Sequence, residues 1–184
     1  MMIKSLRSVL ERLDKAGALL HIAKEVDARH VSPLLVKADR PVLFERVRGF
    51  DFPVVGGLYW TRQRLAGALG WPEGELGLRF PAGIERMVDP VLVADAPCQQ
   101  VVRKGDEVDL TTLPIPFLGE KDGGPFISAG VVLSRDGDCI NAGVYRMMYR
   151  SRRQTSIDLV TVSDMRRSYE RALQRKEPLP VTVC

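Results

Sequence analysis

The sequence predicts an α+β chain in two parts, an N-terminal α/β domain over residues 1–96 and a β-rich domain over 97–184. Two observations carry that division. Up to about residue 70, helical apolar stripes alternate with short apolar runs, the pattern of a helix-covered sheet. Beyond Pro97 the character changes to short β-like runs at 99–103, 127–134, 139–148 and 156–162, separated by Gly- and Pro-bearing turns, which suggests a barrel or sandwich.

Leu6, Val9, Leu10 and Leu13 follow the i, i+3, i+4, i+7 spacing of an amphipathic helix, with Ser5 as N-cap and Gly17 as C′ stop. Leu20 and Ile22 alternate with His21 and Ala23, so a short strand runs toward Val26 with His21 on the surface. His30 is expected in a polar turn, and a brief helix over 31–38 is stopped by Pro41. Val42-Leu43-Phe44 starts a second strand, and Gly49, Asp51 and Pro53 turn the chain into Val54-Val55. Thr61 caps a helix to Leu69 that Gly70 and Pro72 end. Gly56-Gly57 lacks any phosphate-loop pattern. Residues 71–97 are the least patterned, with a short helix around 82–88.

In the second part, Ile127–Ser134 and Cys139–Met148 read as two strands of a hairpin joined by Arg135-Asp136-Gly137-Asp138, a loop longer than the tightest two-residue type. LPIP forms an extended connector. A helix is expected from Asp164 to about Lys176, capped by Ser163, and PLPVTVC ends as an apolar, unfinished sheet. The chemistry concentrates in the hairpin's second strand, where Asn141 and Arg146 flank Gly143. A carboxamide oxygen is a hard, neutral metal ligand, and a guanidinium grips carboxylate or phosphate by two hydrogen bonds. Together they suit an anion held beside a divalent cation; the competing reading is solvent-facing decoration. Five residues apart is an odd spacing, so a regular strand sends the two side chains to opposite faces. A shared site requires the strand to bulge or bend, and Gly143 is the residue expected to permit it.

Composition narrows the function classes. Of 184 residues, 45% are apolar and 27% charged, the balance of a soluble globular chain. The net charge of +4 comes from scattered arginines, and only RMMYRSRR at 146–153 approaches a basic patch, so nucleic acid is not an expected partner. Cys98, Cys139 and Cys184 have no CxxC spacing and, with only His21 and His30, do not suggest a zinc site. Cys98 and Cys139 are expected as small core residues. The charged N-terminus is not a signal peptide and no run reaches the length of a membrane span, so a reducing, cytoplasmic location is expected.

Four blocks in register, APCQQVV (96–102), DEVDLTTLPIP (106–116), DGGPFISAG (122–130) and NAGVYRM (141–147), resemble the N-terminal half of the UbiD family of non-oxidative carboxy-lyases, related to 3-polyprenyl-4-hydroxybenzoate decarboxylase. SLRSVLERLDKAGALLHIAKEVD, PVLFERVRGFDFPVVGGLY and TRQRLAGALG extend the likeness over essentially the whole chain. The resemblance implies a split β-barrel of the flavin-reductase-like type after the α/β segment. It implies prenylated FMN bound with a divalent metal (Mn or Mg) and often potassium. It places Asn141 on the metal, lines the flavin with Val144, Tyr145 and Arg146, and makes Arg146 the group that orients the substrate carboxylate. The implied reaction is decarboxylation or carboxylation of an aromatic or α,β-unsaturated acid, with the flavin as electron sink.

Two departures qualify the transfer. The family's network glutamates, metal-binding glutamate and general acid lie in its later half, and Glu170 and Glu177 here read as helix surface. Where relatives carry basic or ring-bearing residues and then Arg-Gly, this chain has Asp158-Leu159 and Ser163-Asp164. An aspartate repels a phosphate, although Asp158 could instead ligate a cation. The leading expectation is thus the cofactor-side half of a UbiD-like (de)carboxylase, complemented by the remaining half on the same or another polypeptide, or a homo-oligomer. The alternative is a non-catalytic assembly or flavin-binding subunit that keeps the fold.

Overall fold

The computed structural model describes residues 5–86, 88, 89, 91–160 and 162–184. They form two compact units, Met1–Val108 and Asp109–Cys184.

The first unit is a small mixed sheet with helices on both faces. Helix α1 (Leu6–Lys15) starts at a capping box in which Ser5 and Ser8 bond each other's backbone, and Gly17 follows its end with φ +63°. Strand β1 (Leu20–Ile22) pairs in parallel with β2 (Val42–Phe44), which pairs antiparallel with β3 (Val54–Gly56). Helix α2 (Ala28–Lys37) makes the β1-to-β2 crossover, and α3 (Arg62–Leu69) follows β3. Side-chain alternation on β2 sorts the helices. Val42 and Phe44 pack with Val31 and Leu35 of α2, whereas Leu43 packs with Val9 and Leu13 of α1 and Ala68 of α3.

Three expectations in this unit need correction. His30 lies in α2, not in a turn, because Asp27 caps that helix three residues earlier than the apolar pattern suggested, its carboxylate accepting from the Arg29 N–H. Helix α4 (Leu76–Glu85) begins six residues before the expected 82–88 and carries Pro81 inside it. The apolar run at 99–103 is not a strand: Pro97–Gln99 is a 3₁₀ turn, and Val101 and Val102 stand exposed. A β-like composition makes a strand only where another strand supplies the ladder.

The second unit contains strands β4 (Phe126–Ile127), β5 (Val131–Asp136), β6 (Cys139–Val144), β7 (Met147–Ser151), β8 (Gln154–Ile157) and β9 (Val181–Val183), with helix α5 (Asp164–Arg175) before the last. They lie in two antiparallel sheets, ordered β4-β7-β8 and β6-β5-β9. Both expected strands of the hairpin are broken, at 128–130 and at Tyr145-Arg146, so the chain passes between sheets at each break. The β5–β6 loop is the tight two-residue kind after all, since Asp136 pairs with Cys139 around Gly137-Asp138. Gly137 supplies the positive φ (+62°) such a loop demands.

Residues 132, 134 and 136 of β5 form its buried face, where Val132 packs with Met147 and with Met165 of α5. At the end of that face Asp136, only 6% exposed, is held by Arg171 and by Arg175 at 2.7 Å, both from α5. These two guanidiniums, Arg171 first, keep the Asp136 carboxyl below its ordinary value. Helix α5 runs as expected from its Ser163 cap. Cys98 and Cys139 are exposed rather than in the core, the first in a 3₁₀ turn and the second on an edge strand. No helix among the described residues is long and apolar enough to cross a membrane.

Candidate functional site

Arg146 sits in the two-residue break between β6 and β7, just before the sheet resumes at Met147. Its guanidinium carbon lies 4.1 Å from the centroid of the Phe126 ring, a cation–π contact that fixes its position. Asp122 approaches one terminal nitrogen at only 3.7 Å, too far for a hydrogen bond. Asp122 is itself committed to its own loop, where its Oδ2 accepts from the Gly119 N–H at 2.9 Å. The arginine is therefore oriented but not neutralised by a tight partner.

Around it the β4-β7-β8 sheet forms a cleft of about 270 Å³, lined by Phe126, Arg146, Met148, Arg150, Ser156, Ile157 and Asp158. Two cations and one carboxylate share this concavity with an aromatic ring and two aliphatic side chains. Such a surface can hold a flat or unsaturated acid by its body while a guanidinium takes the carboxylate.

The other candidate residues are placed separately. Tyr145 packs with the Val132–Met147–Met165 cluster, and its ring lies over Gly143, where a Cβ would come within 2.6 Å of Tyr145 Cε2. Gly143 is thus a glycine because an aromatic ring occupies its side-chain space. It is not a bulge: β6 pairs with β5 without a register shift from Cys139 to Val144. The interruption that the odd Asn141–Arg146 spacing calls for is present, but at Tyr145-Arg146. Val144 is 68% exposed at the end of β6.

Asn141 pairs with Ser134 across the β5–β6 ladder and shares its face, on the side covered by α5. Asn141 Nδ2 and Ser134 Oγ are both buried without a hydrogen-bond partner. An orphaned buried amide is the kind of group a ligand satisfies. Turned by half a rotation, it offers the neutral oxygen a divalent cation takes. No group of three His, Cys, Asp or Glu side chains able to hold a metal occurs among the described residues. The Asn141 amide is thus chemically suited to offer a cation one neutral oxygen. Asn141 is not one of the residues lining the Arg146 cleft.

Sequence reasoning passes over Phe126, Asp122 and Ser134 as site residues and meets Arg150 only within the basic stretch 146–153. Alternation in RMMYR, which sets 146, 148 and 150 two apart, was the one available signal for Arg150. A second concavity, of about 440 Å³, lies in the first unit between Lys24 and Arg48. Its acids are already paired, Glu25 with Arg48 at 3.0 Å and Asp27 with Arg29 at 2.9 Å.

Comparison with known proteins places this geometry in a family. Residues 10–80 match the 3-octaprenyl-4-hydroxybenzoate carboxy-lyase N-terminal domain, and residues 91–184 match the Rift-related domain of the same carboxy-lyase. An uncharacterized protein in the cooM 5′ region of Rhodospirillum rubrum is 34% identical over 98% of this chain and 41% of its own length. Anhydromevalonate phosphate decarboxylase of Methanosarcina mazei is 32% identical over 96% of this chain and 41% of its own. Among solved structures, the UbiD-class enzyme HmfF from Pelotomaculum thermopropionicum in complex with FMN superposes with a TM-score of 0.90 at 30% identity, over 98% of this chain and 42% of HmfF. An evolved dimeric form of HmfF in complex with prFMN gives 0.89 at 31% identity, over 97% and 43%. The chain thus spans about two-fifths of the length of the relatives it matches. With both family domains matched in order along it, the chain belongs to the UbiD family and corresponds to the N-terminal half of its members.

Proposed function

We propose that this chain is the cofactor-side half of a prenylated-FMN-dependent (de)carboxylase acting on an aromatic or α,β-unsaturated carboxylic acid in the cytoplasm. The observation that carries the reading is Arg146, held over Phe126 in an open cleft with no tight carboxylate partner. Arg146 binds the substrate carboxylate and keeps it ionised, the state from which carbon dioxide leaves. Tyr145 and Val144 line the flavin, and Asn141 donates to a Mn or Mg ion near the cofactor phosphate, with potassium nearby. When bound, prenylated FMN supplies the electron sink for the carbanion. The two sheets form the start of a split β-barrel that the rest of the fold completes. General acid and glutamates come from that remainder, on the same polypeptide, on a second copy or on another subunit.

A second reading is favoured by Asp158, whose charge faces the cleft where the family resemblance led us to expect a basic or ring-bearing residue. In that reading the chain is a non-catalytic assembly or flavin-binding subunit. Anaerobic purification with any retained partner, followed by exchange of labelled carbon dioxide into a panel of cinnamic and hydroxybenzoic acids, separates the two. The enzyme reading expects exchange that falls about a hundredfold or more in Arg146→Ala. Flavin retention with no exchange into any acid favours the subunit.

A further inference from the structure

We propose that Arg150 is a specificity-determining residue that makes the Arg146 cleft select acids bearing a second anionic group. This rests on the reading of Arg146 as the carboxylate-binding residue and adds to it a class of substrate.

The observation is a β-bulge. Strands β7 and β8 pair in register at Met147–Ile157, Met148–Ser156 and Tyr149–Thr155, then jump to Ser151–Gln154. Arg150 is the extra residue, with no partner in the ladder. Alternation along β7 sets Arg150 on the face of Arg146 and Met148, and the bulge leaves its backbone outside the ladder. Its guanidinium donates from Nε to Ser156 Oγ at 2.9 Å, and Ser156, the residue opposite Met148, lines the same cleft. Ser156 thus takes one of the five N–H donors that a guanidinium carries. Among the described residues Arg150 has no carboxylate within ion-pair distance, although Asp158 lines the same cleft.

The charges then count as follows. Two guanidiniums and Asp158 leave the cleft one positive charge in surplus, and a monocarboxylate bound at Arg146 leaves Arg150 with no anion within ion-pair distance. An acid with a second anionic group at its far end meets both guanidiniums at once. Phe126, Met148 and Ile157 give the same cleft an apolar lining for the body of the acid. Carboxylate and phosphate both satisfy that chemistry.

The test is nitrogen–proton NMR of the arginine Nε–Hε groups in the full chain, titrated with benzoate, terephthalate and 4-phosphonooxybenzoate. The expected result is that benzoate shifts Arg146 alone, while both dianions shift Arg146 and Arg150 and bind about fivefold more tightly. In Arg150→Met the advantage of the dianions over benzoate disappears; in Arg150→Lys part of it remains. The tighter of the two dianions identifies the second group as carboxylate or phosphate. Equal affinities in the wild type, or an advantage that survives Arg150→Met, would overturn the proposal. A benzoate titration that leaves Arg146 unmoved overturns instead the reading of Arg146 on which it rests.

Discussion

Gly143 shows how a single position can be legible in type and mistaken in cause. The sequence marks it as the flexible point between Asn141 and Arg146, yet its backbone is regular and the Tyr145 ring fills the space above it. Contacts across a sheet face are not visible in spacing, so spacing alone places the bend two residues early. Gly143→Ala should therefore cost about 1–3 kcal/mol by overpacking against that ring, read from the urea midpoint. Gly143→Ala combined with Tyr145→Ala should recover much of the loss. Asp136 was equally hidden, because its arginines come from a helix some 35 residues away. Its lowered pKa implies stability that is present in full above the ordinary carboxyl value of 3.8 and drains away as pH falls below it toward the depressed one. Acid titration of unfolding should show that loss in the wild type and a flatter profile in Asp136→Asn.

Elements were more legible than residues wherever the signal was local. Ser5, Thr61 and Ser163 all cap helices as expected, because a cap needs only its own next three residues. Thr61→Ala should cost about 1 kcal/mol in thermal or denaturant unfolding. The early start of α2 has a local signal in its Asp27 cap, whereas the early start of α4 and the missing strand at 99–103 were not legible, since each depends on which partner is in reach. His21 illustrates the same limit. It was read as surface, and its side chain is indeed 39% exposed, yet it bridges Glu45 at 2.8 Å and Asp14 at 3.0 Å, tying α1, β1 and the end of β2. Glu45 first, then Asp14, raise its pKa above 6.5. This group therefore stabilises the fold fully below that value and loses its contribution as pH rises through the raised one. Unfolding midpoints at about pH 5 and about pH 9 should diverge more in the wild type than in His21→Gln.

At the scale of the molecule, the family was legible because four motif blocks in order carry far more information than any single pair of residues. In the proposed reading Asn141 supplies one metal ligand; no acidic cluster accompanies it among the described residues, and the chain spans about two-fifths of its relatives. Native mass spectrometry of the protein, purified anaerobically from its own source, tests the central claim most directly. The account expects prenylated FMN and a divalent metal to travel with the 20.5 kDa chain or with a complex containing it, and the metal to be lost in Asn141→Ala. A bare chain, with neither flavin nor metal nor a complementing polypeptide, would contradict it.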